Sequence, residues 1–196
     1  MDTKDIIASF RQGGTSANCV SVAVIKAAVE VFGLTGVFRS VVRGTEEVTV
    51  TLQDNIVLTI VQEELEYAAQ KSNFEKGTNQ PLYDFAQFAF AVMAKRAQKS
   101  HNDGAVTFDE AIDSLNDGEA YLRGPEWLGL AHYTQKIRRR DIWKYAGVVG
   151  SSEKHCFLAS FGWEDKYGTP NRISQLQLLF NQLKFQNFYR IMPTPM

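Results

Sequence analysis

The 196-residue chain has only two cysteines and three histidines, too few for two common architectures. Secreted disulfide frameworks need more cysteines, and structural zinc sites need clusters of Cys and His that this sequence does not contain. We therefore expect Cys19 and Cys156 to be reduced thiols, although their number also allows one bridge between them.

Charge of one sign is also lacking, because 21 Lys and Arg residues nearly cancel 22 Asp and Glu residues. Such a chain has no net field that draws it to nucleic acid or an anionic membrane, so we expect neither as a partner. The basic run at residues 136–144 is short, and we interpret it as a solvated surface. No signal peptide or uninterrupted apolar span of roughly 20 residues is evident, so we expect a soluble protein. The sequence does not indicate its cellular compartment or its oligomeric state.

Cofactor motifs are missing as well. There is no glycine loop for nucleotides and no Gly-x-Ser-x-Gly motif. The segment KSHNDGAVTFDE has Asp103, Gly104 and Glu110 spaced as in a calcium loop, but Lys99 and His101 occupy two of the ligand positions. We interpret it as a turn before a helix, and we expect no metal and no cofactor.

One long apolar segment stands out near the beginning of the chain. Between residues 20 and 32 only Ser21, Lys26 and Glu30 are polar, which predicts a helix buried on most of its surface. Lys26 and Glu30 are four residues apart and are expected on one narrow polar stripe of this helix. Gly33 is expected to end this helix, and the polar, glycine-bearing residues before it supply its N-cap. Cys19 is therefore expected at or beside the N-terminus of a buried helix.

The remaining periodicity changes from helical to strand-like along the chain. Alternation around an Asp-Asn turn predicts a hairpin at about residues 46–61, and helical spacing predicts helices at 63–71, 82–98 and 108–115. Strands are expected in AGVVG, HCFLASFGW, SQLQLLF and QNFYRIM, with a turn at GTPN. Helices first and strands last indicate an α+β domain. We expect one domain over residues 1–196, with a helical lobe at about 1–145 and a β-rich lobe at about 146–196.

The position of Cys19 favours a role as a nucleophile. A thiol at a helix N-terminus faces unpaired backbone N–H groups and the positive end of the helix dipole, both of which favour the thiolate. A thiol nucleophile also needs a base. His101 lies in a polar turn and His132 in a segment without clear periodicity, whereas His155 begins an alternating strand that can hold its ring rigidly. Cys156, next to it, is interpreted as structural.

The segment QGGTSANCVSVAVIKA resembles the Gln-Gly and Cys-helix opening of papain-like cysteine peptidases, in particular the calpain-like branch. Four later segments resemble passages of that family in the same order, so the resemblance extends over nearly the whole chain. They are EEVTVTLQDNIVLTIVQEEL, PLYDFAQFAFAVMAKRAQ, FDEAIDSLNDGEAYLRG and HCFLASFGWEDK. The resemblance implies a papain-like fold, in which the Cys-bearing helix packs on a C-terminal antiparallel sheet.

The resemblance also implies roles for individual residues. Cys19 corresponds to the nucleophile, His155 to the base and later acid, and Gln12 to an oxyanion donor. These roles imply a thiol hydrolase that cleaves peptide or isopeptide bonds through an acyl-enzyme, with a protein or peptide as substrate. Gln12 stands seven residues before Cys19, one more than the family usually has, and Val20 replaces the aromatic residue that usually follows the cysteine.

The third catalytic position is the least well matched. The family's Asn-Pro-Trp or Asn-Ser-Trp segment after the histidine strand is absent. Asn181 is the best positional match for the residue that orients the imidazole, with Asp165 and Asn171 as alternatives. The same Cys-His pair also serves deamidases, transglutaminases and effector toxins, and a papain-like module that has lost catalysis and only binds or scaffolds is a further alternative.

Overall fold

A computed structural model describes residues 1–14, 16–152, 155–174 and 187–196, and these form an α+β fold, as predicted. The helices are α1 Thr3–Ser9, α2 Cys19–Gly36, α3 Gln62–Lys71, α4 Gln80–Lys99, α5 Phe108–Asn116 and α6 Gly124–Trp127. The strands are β1 Phe10–Gln12, β2 Ser40–Arg43, β3 Glu47–Thr51, β4 Val57–Val61, β5 Phe74–Lys76, β6 Thr134–Lys136, β7 Val148–Ser151, β8 Cys156–Leu158, β9 Trp163–Lys166, β10 Thr169–Arg172 and β11 Asn187–Ile191.

Helix α2 is the central helix of the core, and it begins at Cys19. All of its residues from Val20 to Val29 are buried, including Lys26, which the sequence pattern placed on a polar stripe. Gly33 has a φ of 67° and a ψ of 175°, so the long helix that begins at Cys19 ends there, as predicted, and a further short helical segment continues to Gly36. By length and composition alone α2 is apolar enough to cross a membrane, but 56% of it is buried inside the fold.

A four-stranded antiparallel sheet, in the order β6-β11-β7-β8, packs against α2. Successive side chains of β8 point to opposite faces of this sheet. Cys156 and Leu158 join the main core with α2, whereas Phe157 belongs to a second, smaller cluster with Phe188. The start of β8 is thereby held beside the N-terminal half of α2. This agrees with the expected packing of a Cys-bearing helix on a C-terminal antiparallel sheet.

The hairpin and helices predicted from periodicity are confirmed. Strands β3 and β4 pair with Val50 opposite Leu58, and Asn55 takes a φ of 68° in the turn between them. Strand β2, which was not predicted, extends this hairpin to a three-stranded sheet. Thr107 and Glu110 form a capping box at the start of α5, which explains why this short helix begins where its pattern begins.

The turn expected at GTPN includes only the first residue of that segment, because residues 169–172 form β10 and pair with β9. The two turn residues are Tyr167 and Gly168, whose φ values are 51° and 82°. The strand expected over HCFLASFGW is shorter and ends at Leu158. QNFYRIM does form a strand, whereas SQLQLLF lies outside the described residues. The division into lobes near residue 145 stays a prediction.

Candidate active site

A cavity of about 540 Å³ opens between the N-terminus of α2 and the start of β8. It brings together Cys19, His155 and Gln12, although most of the chain separates the first two. Its other lining residues are mainly small or polar: Ser16, Ala17, Val20, Gly118, Glu119, Ala120, Tyr121, Ser151, Ser152, Cys156 and Tyr167. Asn181 lies outside the described residues.

Cys19 is the first residue of α2. The backbone N–H groups of Cys156, Val20 and Cys19 itself favour the thiolate and act to lower the pKa of Cys19. Burial nevertheless dominates and raises the pKa of the Cys19 thiol above its usual value, while these donors partly oppose the rise. Near neutral pH the free protein therefore keeps Cys19 mainly as a thiol, and not as the thiolate that a helix N-terminus alone would favour.

Asn18 precedes α2, but its side chain makes no capping hydrogen bond, and its Oδ1 is buried without a partner among the described residues. Nδ2 donates to the carbonyl oxygen of Ser72 at 2.6 Å and to Oδ1 of Asn116 at 2.8 Å. These bonds fix the loop before α2 to the ends of two other helices. The backbone N–H groups of the first helical turn consequently receive no side-chain cap from Asn18.

His155 precedes β8, and its ring is held by aromatic stacking. The ring lies 4.7 Å from the ring of Tyr167 and 6.1 Å from that of Phe157, nearly parallel to both. Among the described residues no side chain or backbone group hydrogen-bonds to its ring nitrogens. Burial lowers the pKa of His155 below its usual value, and the charge of Asp165 partly opposes this. The neutral imidazole, which is the form that accepts a proton, is therefore favoured.

Gln12 is the last residue of β1, opposite Phe74 of β5. Its Nε2 donates to the carbonyl oxygen of Ser16, and its Oε1 is buried without a hydrogen-bond partner among the described residues. The glycine loop thus brings the amide to the cavity despite the extra residue between Gln12 and Cys19. One Nε2 hydrogen remains available after the bond to Ser16.

The two alternatives for the third position differ clearly. Asp165 is 7% exposed and lines a smaller adjoining cavity together with Cys19 and His155. Its Oδ2 accepts from Lys26 Nζ at 2.6 Å and its Oδ1 accepts from the Gly168 N–H at 2.6 Å. Asn171 donates to Glu164 and lines neither cavity. Asp165 therefore acts on His155 through its charge, and Asn171 makes no contribution to the cavity.

The sequence did not predict that residues 118–121 form one side of the cavity. This segment is fixed by Glu119, whose Oε2 accepts from Trp127 Nε1 at 3.0 Å and from Asn102 Nδ2 at 2.9 Å. The sequence offered only a polar loop there. The only local indication of a buried role was the pair of aromatic residues, Tyr121 and Trp127, in a segment that is otherwise mostly polar.

Within the described ranges, no group of three or more His, Cys, Asp or Glu side chains is arranged to hold a metal ion. Comparison of the chain with protein-family models, curated proteins and solved structures finds no match. The geometry of the cavity is therefore the basis for any assignment of function.

Proposed function

We propose that this chain is a papain-like, calpain-like thiol hydrolase that cleaves peptide or isopeptide bonds through Cys19 and His155. The observation that supports it best is the cavity of about 540 Å³ lined by both residues, with Cys19 at the N-terminus of a buried helix and His155 directly before a strand that packs on that helix. A nucleophile, a base and amide donors around one cleft are the groups that acyl transfer requires.

In the proposed first step, His155 acts as a general base. The neutral imidazole takes the thiol proton as the Cys19 sulfur attacks the substrate carbonyl carbon. Negative charge develops on the carbonyl oxygen, where the backbone N–H groups at the start of α2 and the free Nε2 hydrogen of Gln12 stabilise it. Because burial favours the neutral pair, proton transfer accompanies attack instead of preceding it.

The intermediate then collapses to an acyl-enzyme. The carbon–nitrogen bond breaks, His155 gives its proton to the leaving amine, and a thioester to Cys19 remains. Water, deprotonated by His155, attacks the thioester, releases the acid and restores the Cys19 thiol. An amine in place of this water gives transglutamination, and a glutamine side chain as substrate gives deamidation.

Acyl transfer from p-nitrophenyl acetate tests the proposal without knowledge of the natural substrate. We expect a burst of p-nitrophenolate and acetylation of Cys19, the latter detected by mass spectrometry. Both should be abolished by Cys19→Ala. His155→Ala should lower the burst rate by about 10²–10⁴-fold, as is typical for loss of a general base. His132→Ala is the matched control, because His132 is exposed and lines neither cavity.

A papain-like binding module without catalysis is the second candidate, and one observation favours it. Burial shifts both Cys19 and His155 toward their uncharged forms, which is unfavourable for a ready-made ion pair. Slow acetylation with the same rate in wild type, His155→Ala and His132→Ala would support the binding module and exclude the hydrolase. A burst that depends on His155 would exclude the binding module.

A further inference from the structure

The ring that stacks most closely on His155 belongs to Tyr167, at a centroid distance of 4.7 Å and an interplanar angle of 23°. Tyr167 lies in neither the strand of His155 nor the helix of Cys19, but in the turn between β9 and β10. Since the ring nitrogens of His155 have no partner among the described residues, this contact is the closest restraint on the plane of the imidazole there.

Tyr167 occupies an uncommon backbone conformation for a bulky residue. Lys166 pairs with Thr169, so Tyr167 and Gly168 form a two-residue hairpin turn in which both have positive φ. Asn, Asp and Gly are the usual residues at the first central position of such a turn. Tyrosine is disfavoured there, and at 57% exposure the side chain gains little from burial. Its contact with His155 is the feature that distinguishes this position from an ordinary turn.

The turn is tied to the nucleophile helix through Asp165. Asp165 Oδ1 accepts from the Gly168 N–H at 2.6 Å, within the turn, and Oδ2 accepts from Lys26 Nζ at 2.6 Å. Lys26 lies two helical turns after Cys19, and its Nζ also donates to the carbonyl oxygen of Ile7 at 2.8 Å. A continuous set of contacts therefore leads from the helix of Cys19 to the ring beside His155.

We propose that Tyr167 is the positioning residue for His155, and that the buried Lys26–Asp165 pair holds the Tyr167 turn in register with the helix that begins at Cys19. This inference rests on the proposed hydrolase function. Stacking fixes the plane of the imidazole and leaves both ring nitrogens available for proton transfer. In the papain-like family that the chain resembles, an asparagine amide orients the imidazole instead. The effect on the rate is one of geometry, because the ring of Tyr167 acts on the orientation of the His155 imidazole.

Two substitutions separate stacking from folding. Tyr167→Ala removes the ring, whereas Tyr167→Phe keeps the ring and loses only the hydroxyl. We expect Tyr167→Ala to lower the acetylation burst rate of Cys19 by about 10-fold or more, and Tyr167→Phe to restore the rate to within about 2-fold of wild type. Phe161→Ala is the matched control, because Phe161 is also an exposed aromatic residue with positive φ, 44% exposed with φ 49°, and its ring is not stacked on His155.

An NMR measurement of the free protein provides a readout that needs no activity. The ring-proton signals of His155, assigned with His155→Ala, should shift in Tyr167→Ala, because the ring current of the stacked tyrosine is lost. They should stay near their wild-type positions in Tyr167→Phe and Phe161→Ala. A structural defect alone would change signals throughout the spectrum.

The outcomes distinguish this inference from the proposed function. If His155→Ala slows the burst while Tyr167→Ala and Tyr167→Phe behave alike in both measurements, the positioning role is wrong and the hydrolase stands. If the burst is indifferent to His155, the hydrolase is wrong, and the role of Tyr167 in catalysis falls with it. Loss of rate and a shifted His155 signal in Tyr167→Ala, both restored in Tyr167→Phe, support the role.

Discussion

Lys26 Nζ lies 2.6 Å from Asp165 Oδ2, and the two side chains are 0% and 6% exposed. The pair joins the helix that begins at Cys19 to the hairpin that contacts His155. Removing one partner of a buried ion pair leaves an uncompensated charge and costs about 3–5 kcal/mol. We expect Lys26→Met to lower the free energy of unfolding by about that amount, as measured by urea denaturation.

Lys4→Met is the control for this substitution, because Lys4 pairs with Asp2 at the surface, where both side chains are about half exposed. Its effect on the free energy of unfolding should be much smaller. Replacing both charges, as Lys26→Met with Asp165→Leu, should destabilise less than the sum of the two single changes. Equal effects of Lys26→Met and Lys4→Met would show that the buried pair does not stabilise the fold.

The pH dependence of alkylation follows from the environment of the two reactive groups. Burial raises the pKa of Cys19 and lowers the pKa of His155, so between these two values both groups are uncharged. Iodoacetamide reacts with the thiolate, whose fraction rises until the pH passes the pKa of the thiol. We therefore expect the alkylation rate of Cys19 to keep rising above about pH 9, where a free cysteine is already largely ionised.

The rate should be measured from about pH 5 to pH 10 in a Cys156→Ala background, so that a single thiol reacts. A fast rate that is already independent of pH below about pH 7 would contradict the expectation. It would mean that Cys19 and His155 form a thiolate–imidazolium pair in the free protein, as the position of Cys19 at the helix N-terminus first suggested.

The close approach of α6 to α2 gives a prediction on stability. A Cβ atom at Gly124 would lie 2.7 Å from Val20 Cγ1 and 2.7 Å from Val24 Cγ2. Both valines are buried, so they have little freedom to move. We expect Gly124→Ala to lower the free energy of unfolding by about 1–3 kcal/mol through overpacking, measured by urea denaturation. Gly14→Ala, which has open space around it, should have little effect, and equal effects would contradict the packing argument.

Hydrophobic periodicity predicted the elements that bury one face. The hairpin β3-β4 and the helices α4 and α5 were located within a few residues, because alternation, helical spacing and capping residues are local properties of the chain. The beginning of α2 at Cys19 was predicted for the same reason. Cys19 and His155 also line one cavity, as their assignment as a pair requires.

Properties that depend on distant partners could not be predicted. Lys26 was expected on a polar stripe, but Asp165, 139 positions away, lets it be fully buried. The turn was placed at GTPN from its Gly, Pro and Asn, whereas the strand pairing puts the positive φ values at Tyr167 and Gly168. The contact between Tyr167 and His155 depends on that pairing, and no local pattern indicates it.

The two thiols of the cavity should differ sharply in reactivity. Cys19 is partly buried, and neighbouring backbone N–H groups partly oppose the rise of its pKa, whereas Cys156 is 4% exposed and burial raises its pKa well above the usual value. Under native conditions we expect iodoacetamide to label Cys19 and to leave Cys156 unlabelled. In Cys19→Ser, labelling of Cys156 should appear only as urea unfolds the protein, because opening of the core is required. Labelling of Cys156 at the rate of Cys19 in the native protein would mean that both sulfurs face solvent, and the difference in exposure that supports Cys19 as the proposed nucleophile would be lost.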